Sequence, residues 1–123
     1  MPHLSASLLR QLSQLRTTPP MAAASLRALV EAHRARARKE APRNPFVDVD
    51  RADQVADACL ALLDAAPSLP PTAHPWVQAA CLYFGAEDDE EDDFDSIVGF
   101  DDDAEVVNHV AAELGLTHIR IEL

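Results

Sequence analysis

Apolar residues recur at intervals of three and four along most of the chain, which is the spacing of one face of an α-helix. The first such series predicts a helix that ends near Arg16, because the two prolines of Thr17–Pro20 interrupt it. A second helix is predicted over Met21–Lys39, and its last turns carry arginines that complement the helix dipole. The apolar stripes of these two helices are Leu4, Leu8, Leu12 and Leu15, and then Ala22, Leu26, Leu29 and Val30.

Three further helices follow from the same spacing. Asp50 is the predicted N-cap of a third helix over Arg51–Ala65, and a fourth helix opens at Thr72, with Pro75 tolerated in its first turn. A fifth helix starts at Asp101–Asp103, whose carboxylates are predicted to cap it and to favour its positive end. The three apolar stripes are Val55, Cys59, Leu62 and Leu63; Trp76, Val77, Ala80, Cys81 and Phe84; and Val106, Val107, Val110 and Leu114.

Two short stretches have the alternation of extended structure. They are Phe46–Val49 and His118–Leu123, and the second either pairs with the first or packs on the helices as an extended tail. The pattern as a whole predicts an all-α fold of about five helices in one small domain over residues 1–123. An acidic loop over residues 85–101 is predicted to join the fourth and fifth helices.

The chain has a formal net charge of −11, but the charges are unevenly distributed. Residues 1–43 hold eight basic and two acidic residues, net +6, whereas residues 44–123 hold two basic and nineteen acidic residues, net −17. This excess of negative charge argues against nucleic acid as the main partner, since phosphate contacts need clustered lysine and arginine.

The basic cluster near the end of the second helix is interpreted as a solvated face. A nucleic-acid-binding patch is one alternative, and contact with the acidic loop, within the chain or between subunits, is another. The cluster consists of Arg34, Arg36, Arg38, Lys39 and Arg43.

Neither a membrane span nor a secretory signal is predicted. The apolar runs are only a few residues long, whereas a spanning helix needs about 20 apolar residues. The start of the chain lacks a charged region followed by an apolar block. We therefore expect a soluble, cytoplasmic protein. Cys59 and Cys81 lie among apolar residues without a CxxC spacing, which indicates buried thiols and neither a disulfide framework nor a zinc site.

The motifs of the common catalytic sites are absent from the sequence. It contains no Gly-rich phosphate loop, no GxSxG elbow and no HExxH pair, and it has only three glycines. The five histidines are scattered without the spacing of metal ligands. We therefore predict that the protein is not an enzyme, and that it has no cofactor, with Ca²⁺ or Mg²⁺ as the one alternative.

The carboxylates form the one concentrated group of chemically similar side chains. Twelve acidic residues fall within Glu87–Glu105, here called the acidic stretch, and such crowding is costly unless water, a cation or a basic surface relieves it. Three interpretations follow: a solvated loop, a divalent-cation site or a docking surface for a basic protein. An EF-hand does not fit, because Asp93 stands where that loop needs glycine.

Part of the acidic stretch also carries a family resemblance. Eight residues match the pattern Y-F-x-x-P-x-D-x-I-P-D-x-x-P-x-x-G-x-x-D-D-x-x-V without gaps; they are Tyr83, Phe84, Asp89, Asp93, Gly99, Asp102, Asp103 and Val106. This segment resembles the core motif of the YkvA-like domain-of-unknown-function family. The resemblance implies a small helical domain in which an Asp-bearing loop joins two helices, and it implies no established activity.

The departures from the family pattern are all in the loop. Glu87, Asp92 and Ser96 replace its prolines and Glu91 replaces its isoleucine. A charged loop thus stands in place of a stiff apolar one, so the membrane tendency implied by apolar members of the family is not expected here.

The sequence therefore predicts a non-catalytic acidic protein that docks a basic protein partner, with an immunity or antitoxin-like protein as one concrete form. The predicted partner-binding residues are Glu87, Asp88, Glu90, Glu91 and Asp92. The first alternative is a Ca²⁺ or Mg²⁺ site made by Asp89, Asp93, Asp102 and Asp103. The second is a structural or self-associating protein of unknown function; in the self-associating form, the basic second helix of one subunit meets the acidic loop of another.

Overall fold

The computed structural model describes residues 4–45, 47–85 and 100–122, and five α-helices account for most of them. The helices are α1, Ala6–Arg16; α2, Ala23–Glu40; α3, Val49–Ala65; α4, His74–Gly85; and α5, Asp101–Glu113. Two short 3₁₀ turns, Ala66–Ser68 and Pro71–Ala73, lie between α3 and α4. None of the described residues belongs to a β-strand. The prediction of an all-α fold is confirmed.

The helix α4 occupies the centre of the fold. It packs against α1, α2, α3 and α5, and it is buried on nearly every side. A helix that is apolar all round is expected in such an enclosed position. Around it, α2 packs along α3, and α3 packs along α5. Buried apolar side chains from all five helices belong to one hydrophobic core cluster.

The connection between α1 and α2 is held by one buried amide side chain, Gln78 of α4, which is only 1% exposed. Its Oε1 accepts a hydrogen bond from the Met21 N–H at 2.8 Å, and its Nε2 donates to the Pro19 carbonyl at 2.9 Å. The ring nitrogen Nε2 of His74 lies 3.2 Å from the same Oε1. Because the prolines of this connection have no N–H to donate, Gln78 supplies hydrogen bonds that the connection cannot make within itself.

The third helix begins earlier than predicted. Its N-cap is Asp48 and not Asp50, and the Asp48 carboxylate accepts a hydrogen bond from the Arg51 N–H at 3.0 Å. An N-cap side chain bonds the amide two or three positions further on, and Asp48 stands at that distance from Arg51. Asp50 lies in the first turn instead, where its charge favours the helix dipole.

Neither predicted extended segment forms a strand in the described part of the chain. Val49 already belongs to α3, so Val47 and Asp48 are too short a remainder for pairing, and Phe46 lies outside the described residues. Residues 118–122 pack on the helices, but His118 lies in a turn and Ile119 in a bend, so the segment is not extended throughout. The predicted alternation is nevertheless visible there, because Ile119 and Ile121 are buried whereas Arg120 and Glu122 are exposed.

The predicted fourth helix is also shifted. Thr72 lies in a 3₁₀ turn, α4 starts at His74, and Pro75 occupies its first turn as expected. Trp76 is only half-buried: it packs against the core while the Arg16 guanidinium carbon lies 3.7 Å from the centre of its ring. This is a cation–π contact on the outer face of an otherwise apolar anchor.

Candidate functional site

Only the second part of the acidic stretch lies within the described residues. The predicted partner-binding residues lie outside the described part of the chain; they are Glu87, Asp88, Glu90, Glu91 and Asp92. Two of the predicted cation ligands, Asp89 and Asp93, also lie outside it. The described part of the stretch begins at Phe100 and forms the start of α5.

The three aspartates at the start of α5 face different environments. Asp101 and Asp102 are exposed, whereas Asp103 is buried, with only 8% of its surface accessible. Successive residues on a helix point about 100° apart. Asp102 and Asp103, both predicted as cation ligands, are therefore not brought together on one side of the helix.

The prediction that one of these aspartates caps α5 is wrong. The N-cap position is Phe100, whose side chain has no hydrogen-bonding atom, and Asp101–Asp103 form the first turn. Their negative charge still lies at the positive end of the helix dipole, which is a favourable position. The aspartates thus stabilise the start of this helix electrostatically.

Both ends of the segment between α4 and α5 pack on a single residue of α2, the buried His33. The His33 ring is 4.8 Å from the Phe84 ring and 6.1 Å from the Phe100 ring, both in edge-on geometry. The two phenylalanine rings are 5.9 Å apart. These three aromatic side chains, here called the aromatic base, fix the points at which the chain leaves α4 and enters α5. The sequence offers no local signal for this role of His33, since its partners lie more than fifty residues away.

A glycine lies beside the aromatic base at the end of α4. A Cβ atom added to Gly85 would lie 2.8 Å from Cγ of Leu29 and 3.3 Å from its carbonyl oxygen. These distances are shorter than ordinary van der Waals contact, so the end of α4 approaches α2 as closely as it does because residue 85 has no side chain.

One arginine connects the start of α5 to two other parts of the fold. The Arg51 Nε atom lies 3.3 Å from an Asp101 carboxylate oxygen, and Nη1 donates hydrogen bonds to the Glu122 carbonyl at 2.7 Å and to Gln54 at 3.1 Å. The Arg51 side chain is largely buried, with 18% of its surface exposed. Asp101, which belongs to the acidic stretch, therefore contacts the same arginine that joins α3 to the carbonyl of Glu122.

The arginines of α2 contact carboxylates of α3. Arg34 lies 2.6 Å from Asp57 and Arg38 lies 3.0 Å from Asp53, and Arg27 forms an ion pair with Asp64. The arginines are spaced by seven and four residues and the aspartates by the same intervals in the opposite order, as two antiparallel helices require. This matching spacing is present in the sequence, but it indicates the pairing only once α2 and α3 are known to be antiparallel neighbours. The prediction that the basic cluster is simply a solvated face is therefore incomplete.

Arg34 is the most enclosed of these arginines, with 13% of its side chain exposed. It contacts Glu31 in its own helix as well as Asp57 in α3. Its partial burial acts to lower the pKa, but the hydrogen bonds to the two carboxylates outweigh that effect and the pKa of Arg34 is raised. Arg43, just beyond α2, lies 2.9 Å from Glu40.

The two thiols are buried between α3 and α4, as the sequence predicts. The Cys59 thiol is in contact with Cys81, and Sγ of Cys59 lies 4.0 Å from the Ala80 carbonyl. The hydrogen bond with Cys81, complete burial and the nearby Asp103 charge raise the pKa of Cys59 well above its ordinary value. A thiol in such a position stays protonated, so it is a poor nucleophile.

Within residues 4–45, 47–85 and 100–122, no three His, Cys, Asp or Glu side chains are grouped as metal ligands would be.

The five described residues of the family resemblance differ in their environment. Phe84, Asp103 and Val106 are buried, Tyr83 is half-buried and Asp102 is exposed. No protein-family model, curated protein or solved structure matches the chain. Membership of the YkvA-like family therefore stays a prediction from the motif.

None of the helices in the described part of the chain has both the length and the apolar character that crossing a bilayer needs.

Proposed function

We propose that this protein is a non-catalytic, cytoplasmic binding protein that docks a basic protein partner through the acidic stretch. An immunity or antitoxin-like protein, which covers the basic surface of a nucleic-acid-handling toxin, is the concrete form of this proposal. The contact residues are Glu87, Asp88, Glu90, Glu91 and Asp92.

The observation that carries the proposal is the pairing of α2 with α3. Arg27, Arg34 and Arg38 contact aspartates of α3, so these three positive charges are directed toward carboxylates outside the acidic stretch. Within the described part of the acidic stretch, Asp101 lies beside Arg51 of α3, and the stretch as a whole holds twelve acidic residues. Crowded carboxylates of this kind attract a basic surface from a distance.

The physical advantage of such a surface is in association rate and in specificity. Long-range attraction raises the rate at which an oppositely charged partner docks, and like-charged competitors are repelled. The effect is screened beyond about 10 Å at 0.1 M salt. Binding through the acidic stretch is accordingly expected to weaken steeply as salt is added.

Two triple variants with the same change in net charge test the proposal. The first replaces Glu90, Glu91 and Asp92 by Gln, Gln and Asn, and the second replaces Asp53, Asp57 and Asp64 of α3 by Asn. Basic proteins captured from the source cell by the wild-type chain are purified, and their affinity for each variant is measured by calorimetry across a salt series. We expect the first variant to lose at least tenfold in affinity at low salt, and the second to bind nearly as the wild type does.

Equal losses in the two variants would show that only net charge matters, and unchanged binding by the first variant would contradict the proposal directly. The divalent-cation alternative predicts a different result, which is measured by thermal denaturation. It predicts a rise in melting temperature with millimolar Ca²⁺ or Mg²⁺ that disappears when Asp89 and Asp93 are replaced by Asn.

Self-association through charge is a second alternative with a distinct result. It requires the basic α2 of one copy to meet the acidic stretch of another, whereas Arg27, Arg34 and Arg38 already contact α3. Light scattering across a salt series would show dissociation at high salt if such an assembly formed. A monomer at all salt concentrations would remove it and leave the proposed function unaffected.

A further inference from the structure

The end of the described chain is bound through its backbone by a side chain of α5. Asn108 Nδ2 donates a hydrogen bond to the Ile121 carbonyl at 2.9 Å, and the Ile121 N–H donates to Asn108 Oδ1 at 2.8 Å. A pair of strands exchanges the same two hydrogen bonds at each hydrogen-bonded residue pair. The Asn108 amide thus takes the place of a neighbouring strand, and it recognises the main chain whatever side chain the bound residue carries.

The remaining contacts complete a docking site for this segment. Ile119 and Ile121 are 7% and 5% exposed and belong to the core cluster, and Arg51 donates a hydrogen bond to the carbonyl of Glu122. We call Arg51, Asn108 and the apolar surface that receives the two isoleucines the tail site. It has two positions for alternate apolar residues and two side chains that bind the backbone of the segment, which are the elements of recognition by β-strand addition.

The link between α5 and the bound segment is short and turns at a glycine. Gly115 has φ +75°, and a Cβ atom added there would meet nothing within 4 Å. The Leu116 N–H donates a hydrogen bond to the Ala111 carbonyl at 2.8 Å, which closes the end of the helix. Because glycine adopts both left-handed and extended conformations at little cost, this turn can open while α5 and the tail site stay intact.

We propose that the tail site of one copy of the chain binds residues 117–122 of a second copy, so that two copies exchange these segments and form a dimer. The exchanged contacts are the same as those within one copy, so only the turn at Gly115 has to change. Within one copy the segment is tethered, and its effective concentration at the tail site is in the millimolar range. The wild-type chain is therefore monomeric at micromolar concentration, and dimers form when the concentration is raised or when the internal contact is removed.

Two complementary full-length variants test this exchange. I121D leaves the tail site intact but removes an apolar side chain that its own segment needs for binding. N108A removes the main-chain hydrogen bonds of the tail site and leaves the segment unchanged. We expect each variant alone to sediment as a monomer at about 100 µM or below, roughly tenfold under that effective concentration. We expect their mixture to contain a heterodimer at least tenfold above the dimer in either single sample. Because the contacts are apolar and between neutral groups, apart from Arg51, the heterodimer should persist in 0.5 M salt, where exposed charges more than about 4 Å apart are largely screened. An assembly held together by charge would dissociate at that salt concentration. The result of this test therefore does not depend on whether the proposed function is correct.

A mixture that contains only monomers, with both variants folded by circular dichroism, would overturn the proposal. If either variant fails to fold, the wild-type chain provides the test. Tagged and untagged wild-type copies are mixed at a concentration of a few millimolar, diluted and passed over the affinity matrix for the tag. Recovery of untagged chain with tagged chain, greater than in a sample mixed only after dilution, supports the exchange, and equal recovery in the two samples rejects it.

Discussion

Two sets of polar contacts in this fold differ in where they lie and in what they hold together. The ion pairs between α2 and α3 lie on the surface: the side chains of Asp57 and Asp64 are 71% and 68% exposed. Gln78 and Asn108, by contrast, are neutral amides on the inner sides of α4 and α5, and each binds main-chain groups of a segment without regular structure. Exposed ion pairs contribute little to stability, whereas main-chain groups that lose a partner on burial are costly. The comparison indicates that the amides hold the connections of the fold, and that most of the charge is not needed for it.

Replacement of Gln78 by leucine should have the largest effect. The change leaves the Met21 N–H and the Pro19 carbonyl without their partner, and we expect a loss of about 3 kcal/mol in the free energy of unfolding. Chemical denaturation measures it, with Gln14→Leu on the exposed face of α1 as the control. A loss of stability in the Gln78 variant no larger than in the control would show that this amide does not hold the connection between α1 and α2.

Replacement of Asn108 by alanine should cost about 2 kcal/mol, because the Ile121 main chain loses both hydrogen bonds. The effect is local, so hydrogen exchange of the Ile121 amide should accelerate far more than exchange in α4. Glu113→Ala, on the exposed part of the same helix, is the matched control. Uniform acceleration through the whole fold would show instead that the bound segment is part of the global unfolding unit.

The buried Cys59 thiol extends the comparison to alkaline pH. Its pKa is raised in the folded state by the contact with Cys81 and by burial. The thiol therefore ionises first in the unfolded chain, and its contribution to stability is present below about pH 8.5 and is lost as the pH rises above that value. The loss attributable to this group approaches 1.4 kcal/mol for each pH unit. Urea denaturation between pH 7 and 10 should show a shallower decline for Cys59→Ala than for the wild type, and parallel declines would contradict this assignment.

The smallest effects are expected for the ion pairs. Arg34→Met should cost about 1 kcal/mol, because Arg34 is largely enclosed and holds two carboxylates, and Arg27→Met should cost about 0.3 kcal/mol. The difference between the two should shrink in 1 M salt, where the Debye length is about 3 Å. Thermal denaturation at low and high salt measures both variants. A cost for Arg27→Met as large as that of Gln78→Leu would remove the distinction between surface charges and buried amides.

The periodicity of the sequence was sufficient for the fold class and for most of the core. The stripes of α1, α3 and α5 and the break at Thr17–Pro20 follow from local spacing, which is why they are confirmed. Helix starts were less predictable: Asp48 and Asp50 are both acceptable caps, and the sequence alone did not distinguish them. The roles of Gln78, His33 and Arg51 depend on partners far along the chain, so no local pattern contains them.

The candidate site was predictable only as a concentration of charge. Composition identifies the acidic stretch, but it does not show that His33 contacts both ends of the segment between α4 and α5 or that Arg51 contacts Asp101. The pairing of α2 with α3 is an intermediate case, because its matched spacing is present in the sequence yet is recognised only when the two helices are known to be antiparallel neighbours.

The contact between Gly85 and Leu29 limits which sequences can share this arrangement of helices. Residue 85 can acquire a side chain only if residue 29 becomes smaller or α2 and α4 move apart. The two positions should therefore vary together among any relatives of this chain, with glycine at one accompanying a large residue at the other. This paired requirement joins α2 to α4 over a separation of fifty-six residues, and it provides a test of shared architecture for sequences whose acidic stretch has a different length or composition.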